Sequence, residues 1–143
     1  MSTPATLVER PAGPAPVAAV RQWTALADRM ASWGEEAGFS VRRGSLPYGR
    51  SLKGEEPFES PYLSLKRDGR ELFVRLSQWD PATETTRVGI DLLPTMDTGA
   101  EVSTAGEEWQ IAIVGKAGRP LTQESWTAVV RQLESTAERF DVG

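Results

Sequence analysis

Residues 62–80 read YLSLKRDGRELFVRLSQWD, and they carry the strongest structural signal in the chain. Apolar and polar residues alternate on both sides of Asp68-Gly69. This dipeptide is typical of a two-residue hairpin loop, because a type I′ turn requires a positive φ at both central residues. With the turn at this position, Lys66 lies opposite Glu71. The pattern therefore predicts two antiparallel strands in a defined register.

The same alternation continues in two later segments. Residues 85–93 read TTRVGIDLL and residues 109–114 read WQIAIV, so that large apolar residues recur at every second position. Side chains alternate between the two faces of a strand, which puts these residues on one face and the polar ones on the other. One apolar and one mixed face are typical of an antiparallel sheet that helices cover on one side only.

Two amphipathic segments near the ends of the chain supply the predicted helices. Residues 17–37 follow Pro16 and precede Gly38, and these residue types are favoured at a helix start and just beyond a helix end. A second helix is predicted after Thr122, whose hydroxyl is suited to cap it. Apolar residues recur at steps of three and four, as a helix with one buried stripe requires. The stripes are Trp23, Leu26, Met30, Trp33 and Ala37 in the first helix, and Trp126, Val129, Val130, Leu133, Ala137 and Phe140 in the second.

The predicted fold class is α+β, a four- to five-stranded, mainly antiparallel sheet with the N-terminal and C-terminal helices packed on one face. The length of 143 residues predicts one domain, residues 17–143. Residues 1–16 contain four prolines among small residues and are predicted to form a disordered arm.

Residues 44–60 and 94–108 are rich in glycine, proline and polar residues. We predict long irregular loops there, and such loops are often functional in compact domains.

The sequence lacks several of the side chains that most often serve in catalysis and metal binding. The chain has no cysteine, no histidine and no asparagine. Disulfides, thiolate nucleophiles, zinc–thiolate sites and imidazole bases are therefore excluded. The sequence also lacks the glycine motifs that bind phosphates and the usual serine-nucleophile motifs, and Asp91, Asp97 and Glu101 lack the spacing of a calcium-binding loop. We predict no catalytic residues, no metal site and no cofactor.

The net charge is −4, but it is distributed unevenly along the chain. Residues 42–87 contain nine Lys and Arg against seven Asp and Glu, whereas residues 88–143 contain four against nine. The acidic balance argues against nucleic-acid binding, which depends on neutralising phosphates.

No apolar run approaches the ~18 residues that a membrane span requires, and the N-terminus lacks a signal-peptide pattern. The expected location is the cytoplasm.

The mixed face of the predicted sheet is the candidate binding surface. Phe73, Arg75 and Trp79 lie at even spacing on one strand, and Arg87 lies on the same side of the next strand. Aromatic residues and arginine are enriched at the energetic centres of protein interfaces. Large aromatic rings on the side away from both helices require a cover, which residues 44–60 or a partner would provide. The predicted partner-binding residues are Phe73, Arg75, Trp79, Arg87, Tyr48 and Arg50.

These features predict a non-catalytic protein-binding module, an accessory, immunity-like or chaperone-like factor. At the level of architecture, the predicted fold resembles the small one-layer folds of secretion chaperones and toxin-immunity proteins. The partner would be another protein or, in a homodimer, a second copy of the chain. An alternative is a small-molecule-binding or hydrolytic domain with its site beneath residues 44–60, where carboxylates, arginine or Tyr48 would act. Single-stranded RNA platforms also have a basic and aromatic sheet face, but their order of elements differs and their sequence motif is absent.

Overall fold

The computed structural model describes residues 12–52, 57–93, 99–105 and 108–142. Along the described chain, helix α1 (Val17–Glu36) comes first, seven strands follow it, and helix α2 (Gln123–Val142) comes last. The strands are β1 (Ser40–Ser51), β2 (Pro57–Arg67), β3 (Arg70–Asp80), β4 (Thr85–Leu93), β5 (Gly99–Ala105), β6 (Glu108–Ile113) and β7 (Arg119–Pro120). The α+β class is confirmed, but the sheet has seven strands where four or five were predicted.

The strands form one sheet in the order in which they occur along the chain. Each strand pairs antiparallel with the next one, so the sheet is a meander built from local connections. At the end of β1, Arg50 and Ser51 also pair in parallel with Gln78 and Trp79 of β3. The first three strands therefore meet each other at this end of the sheet.

The β2–β3 hairpin has the predicted turn and register. Asp68 and Gly69 both have positive φ, 53° and 78° respectively. Lys66 lies opposite Glu71, and the pairing continues to Tyr62 opposite Arg75. A turn that only Asp, Asn and Gly adopt readily thus sets the register of the β2–β3 pair.

The two predicted loops contain strands, so this part of the sequence prediction is wrong. Residues 44–51 belong to β1, residues 57–60 belong to β2, and residues 99–105 form β5. The glycines that favoured a loop make room for aromatic rings on β2 instead. A Cβ atom at Gly44 would lie 2.7 Å from the ring of Tyr62, and one at Gly49 would overlap the ring of Phe58. The intervening residues 53–56, 94–98 and 106–107 lie outside the described residues.

Both helices share one core with one face of the sheet. The buried aliphatic strand residues alternate inward, and Trp33 of α1 stacks on Trp126 of α2 with ring centroids 6.1 Å apart. The predicted cap of α2 is confirmed, because the Thr122 hydroxyl accepts the N–H of Ser125 at 3.1 Å. Neither helix in the described ranges has an apolar stretch long enough to cross a bilayer. The buried aliphatic strand residues are Leu63, Leu65, Leu72, Val74, Leu76, Val88, Ile90, Leu92, Ala100, Val102, Ile111 and Ile113.

Arg67 connects both helices to β2. Its Nη1 donates to the carbonyl of Ala37, just after α1, at 2.8 Å. Its Nη2 donates to the carboxylate of Glu134 in α2, also at 2.8 Å. The guanidinium carbon lies 4.1 Å from the centroid of the Phe39 ring. This single side chain therefore contacts the end of α1, the start of the sheet and the middle of α2.

The last residues of the predicted N-terminal arm lie against the domain. The carbonyl of Gly13 accepts the N–H of Glu59 at 2.8 Å, and Gly13 forms a bridge with Phe58 of β2. Ala15 packs against the core. Residues 1–11, the remainder of the predicted arm, lie outside the described residues.

Candidate functional site: the open face of the sheet

The side of the sheet opposite the helices, called the open face here, is defined by the strand register. One row of neighbouring residues runs across five strands through Gly89 on β4. The adjacent row towards the β2–β3 turn passes through Asp91, and the adjacent row on the other side passes through Arg87. The three rows are Tyr62–Arg75–Gly89–Glu101–Ala112, Ser64–Phe73–Asp91–Gly99 and Gln78–Arg87–Ser103–Gln110.

Trp79 does not belong to this face, so its predicted position beside Phe73 is wrong. A β-bulge interrupts the pairing between Leu76 and Gln78, and the extra residue reverses the alternation that follows it. Trp79 therefore pairs with Thr86 on the helix side and is only 5% exposed. The Thr86 hydroxyl donates to Gln22 of α1. The sequence contained a signal, because the apolar spacing changes from two residues to three between Leu76 and Trp79.

Phe73 lies on the open face, where it stacks on Tyr62. Their ring centroids are 5.1 Å apart with an interplanar angle of 29°. The Tyr62 ring also covers the backbone of Gly44 on the neighbouring strand, and both rings remain partly exposed. Tyr62 was not among the predicted site residues, although its position opposite Arg75 followed from the predicted register.

Arg75 is the central cation of the open face. It lies between Tyr62 and Gly89 and is partly exposed. Among the described residues, no hydrogen bond or ion pair is formed by its guanidinium. Glu101 lies on the other side of Gly89, two strand spacings or about 10 Å away from Arg75 along the row. A cation and an anion thus flank a glycine that leaves the space above β4 open.

Arg87, Arg50 and Tyr48 lie further towards one end of the sheet. Arg87 is exposed, and its Nη1 is 3.4 Å from Oε1 of Gln78. Arg50 is in register with the same glutamine, so the structure brings these two arginines to one region. Tyr48 is 62% exposed near the end of β1. The predicted site residues therefore divide into a central pair, Phe73 and Arg75, and a separate group at the end of the sheet.

Most of the predicted loop 44–60, on which the alternative site was based, is strand in the described ranges. Residues 44–51 and 57–60 pair with each other as β1 and β2, and the buried ring of Phe58 occupies the space beside Gly49. A shallow depression beside the Asp68-Gly69 turn contains charges of both signs. Across the described ranges, acidic side chains form no group of three or more that could hold a metal ion.

The fold and the open face together define a two-layer α+β domain in which the described helices cover one side of the sheet. The chain matches no protein-family model, no curated protein and no solved structure. The open face combines an aromatic pair, a central arginine and flanking carboxylates on a rigid antiparallel sheet. Such a surface is chemically suited to recognition, since its groups offer apolar area and directional charge.

Proposed function

We propose that this protein is a non-catalytic protein-binding module that captures its partner with the open face. One observation carries the proposal: both helices of the described residues lie on the same side of the sheet, and the other side presents the Tyr62–Phe73 stack next to Arg75. Aromatic rings and arginine are the residue types that most often dominate the binding energy of protein interfaces. The role would be that of an accessory, immunity-like or chaperone-like factor, and the proposed location is the cytoplasm.

The charges of the open face favour a protein partner over a nucleic acid. Arg75 and Arg87 alternate across the rows with Asp91 and Glu101. A nucleic acid requires a continuous cationic track for its phosphates. A protein surface, in contrast, presents both signs of charge, so that each group on the open face can meet an opposite one.

The aromatic pair and the arginine can supply a binding centre of moderate strength. If about a quarter of each ring's roughly 200 Å² remains exposed, covering both buries about 100 Å². At 25 cal/mol per Å², this contributes about 2.5 kcal/mol. A hydrogen-bonded carboxylate on Arg75 adds about 1.5–3 kcal/mol. Because association itself is unfavourable by at least several kcal/mol, the surrounding rows must also fit the partner.

Site-specific photo-crosslinking tests this proposal. A photo-reactive benzoylphenylalanine would replace the exposed Arg87 on the open face, and a control protein would carry it at Thr127, which is exposed on α2. We expect a crosslinked protein from position 87 and none from position 127. Excess wild-type protein should compete for the crosslink, whereas a Phe73→Ala/Arg75→Ala double variant should not. Equal crosslinking at both positions, or none at position 87, would contradict the proposal.

A further inference from the structure

The aromatic side chains of the three open-face rows lie on one half of the face. The half formed by β2 and β3 carries Tyr62, Phe73 and Arg75 with Ser64 and Gln78, and the rings of Tyr62 and Phe73 stack on each other. The half formed by β5 and β6 carries Gly99, Ser103 and Ala112 with Glu101 and Gln110 in the same three rows. A raised half and a low half therefore meet along β4, the strand that carries Gly89.

Charge is separated in the same direction. Arg75 lies on the raised half, and Glu101 lies in the same row on the low half. The two residues are at equal distances from Gly89, one strand spacing on either side. A Cβ atom placed on Gly89 would meet no atom within 4 Å, so nothing else in the described chain fills the space between them.

A two-fold axis parallel to β4 and above the open face would match these two halves. Rotation about this axis exchanges β3 with β5 and β2 with β6 between two stacked sheets. Arg75 of one protomer then lies over Glu101 of the other, and Tyr62 lies over Ala112. Every contact occurs twice, as a two-fold interface requires. The raised half of each copy meets the low half of the other, and Arg75 of each copy meets Glu101 of the other. Arg87 and Asp91 lie on β4 beside the axis and face their own counterparts.

We infer that the partner of the open face is a second copy of this chain, related by that two-fold axis. The inference rests on the proposed function and names the partner for it. Stacked sheets pack about 10 Å apart, and the side chains of the two faces interdigitate. The strand directions of such sheets differ by up to about 30°, so the axis lies within about 15° of the direction of β4. The product is a four-layer dimer, with a helical layer on each outer side and two sheets between them.

The available area is adequate for such a dimer. The five strands β2–β6 span about 24 Å across the sheet, and about seven residues along each strand span about 23 Å. The projected area is therefore about 550 Å² per protomer. Side-chain relief raises the accessible area towards the ~800 Å² that each partner contributes to an interface of standard size.

A charge-reversal experiment tests the inference by sedimentation velocity, for wild-type and variant proteins over about 1–100 μM. The wild-type protein should form a dimer. Arg75→Glu and Glu101→Arg should each weaken self-association by about tenfold or more, because each variant places like charges at both copies of the contact. An equal mixture of the two variants should dimerise again, since both contacts in the mixed dimer join opposite charges.

Two further variants test whether the dimer depends on the open face and on the size of its side chains. Arg131→Glu changes an exposed arginine on α2 and should leave the dimer unchanged. Ala112→Trp fills the position beneath Tyr62 of the other copy and should prevent dimer formation through size rather than charge. Circular dichroism melting of every variant checks that the monomers are folded.

The outcomes separate this inference from the proposed function. A wild-type monomer at all concentrations, a dimer insensitive to Arg75→Glu and Ala112→Trp, or folded variants whose mixture stays monomeric would each overturn the two-fold pairing. If the wild-type chain is monomeric while position 87 crosslinks a different protein, only the pairing fails. If position 87 crosslinks no protein of any kind, the proposed function fails as well.

Discussion

The two faces of the sheet are made by alternate residues of the same strands, yet they have different physical roles. On β3, Leu72, Val74 and Leu76 are at most 1% exposed and pack beneath the helices. Phe73 and Arg75 lie between them in sequence and remain partly exposed on the open face. The covered face contributes apolar burial, and therefore stability. On the open face, Arg75 forms no hydrogen bond or ion pair within the described residues, and the rings of Tyr62 and Phe73 remain partly exposed, which supports the proposed binding role.

The substitution with the largest expected effect on the free energy of unfolding is at Trp79, and it tests on which face of the sheet this residue lies. Trp79→Ala should reduce the free energy of unfolding by about 3–5 kcal/mol, because it removes a large ring from the core. Phe73→Ala, six residues earlier on the same strand, should reduce it by about 1–2 kcal/mol, since its ring is only partly buried. Urea unfolding measures both losses of free energy. Each substitution is combined with Arg75→Glu, so that self-association does not contribute to the measured stability. Equal losses would mean that both rings occupy equivalent positions.

A smaller effect is expected at the ionic contact that connects the covered face to its helices. Arg67→Ala should lower stability by about 1–3 kcal/mol, because Glu134 loses its cation and the carbonyl of Ala37 loses its donor. The side chains of this pair are 28% and 24% exposed, so solvent screening reduces the effect below that of a fully buried pair.

Arg43→Ala is the matched control for Arg67→Ala. Arg43 forms an ion pair with Asp28 of α1 at 2.9 Å, but the two side chains are 43% and 63% exposed. Its loss should change stability by less than about 1 kcal/mol. Thermal and urea unfolding of both variants measure the difference. A loss at Arg43 as large as that at Arg67 would show that burial does not distinguish the two pairs.

The smallest expected effect has the opposite sign and concerns the open face. Gly89→Thr should stabilise the monomer by about 0.5–1 kcal/mol, because threonine is favoured over glycine within a strand and the added atoms have free space. The same change should weaken self-association, since it blocks close approach along the proposed axis. Unfolding and sedimentation of one preparation measure both quantities. A destabilised monomer would contradict the view that Gly89 serves binding rather than folding.

Several features of the fold followed from short stretches of sequence. The Asp68-Gly69 turn, the alternation of β2 to β4 and the cap at Thr122 depend on φ preferences and on neighbouring residues only. The positions of Phe73 and Arg75 on the open face followed from the same alternation. These predictions succeeded because each one rests on contacts within a single turn, strand or helix end.

Other features depended on residues that are distant in sequence. Gly44 disfavours a strand by itself, but the Tyr62 ring covers it, so β1 forms where a loop was predicted. The bulge after Leu76 moves Trp79 from the open face to the core, where the packed helices supply its surroundings.

Local backbone preferences and residue periodicity were therefore sufficient for the hairpin, the helices and the existence of an apolar and a mixed face. Side-chain packing across strands determined how many strands the sheet has, which aromatic residues remain accessible, and that Arg67 joins both helices to β2. The reason is that propensities act within a few neighbouring residues, whereas burial energy depends on groups that only folding brings together.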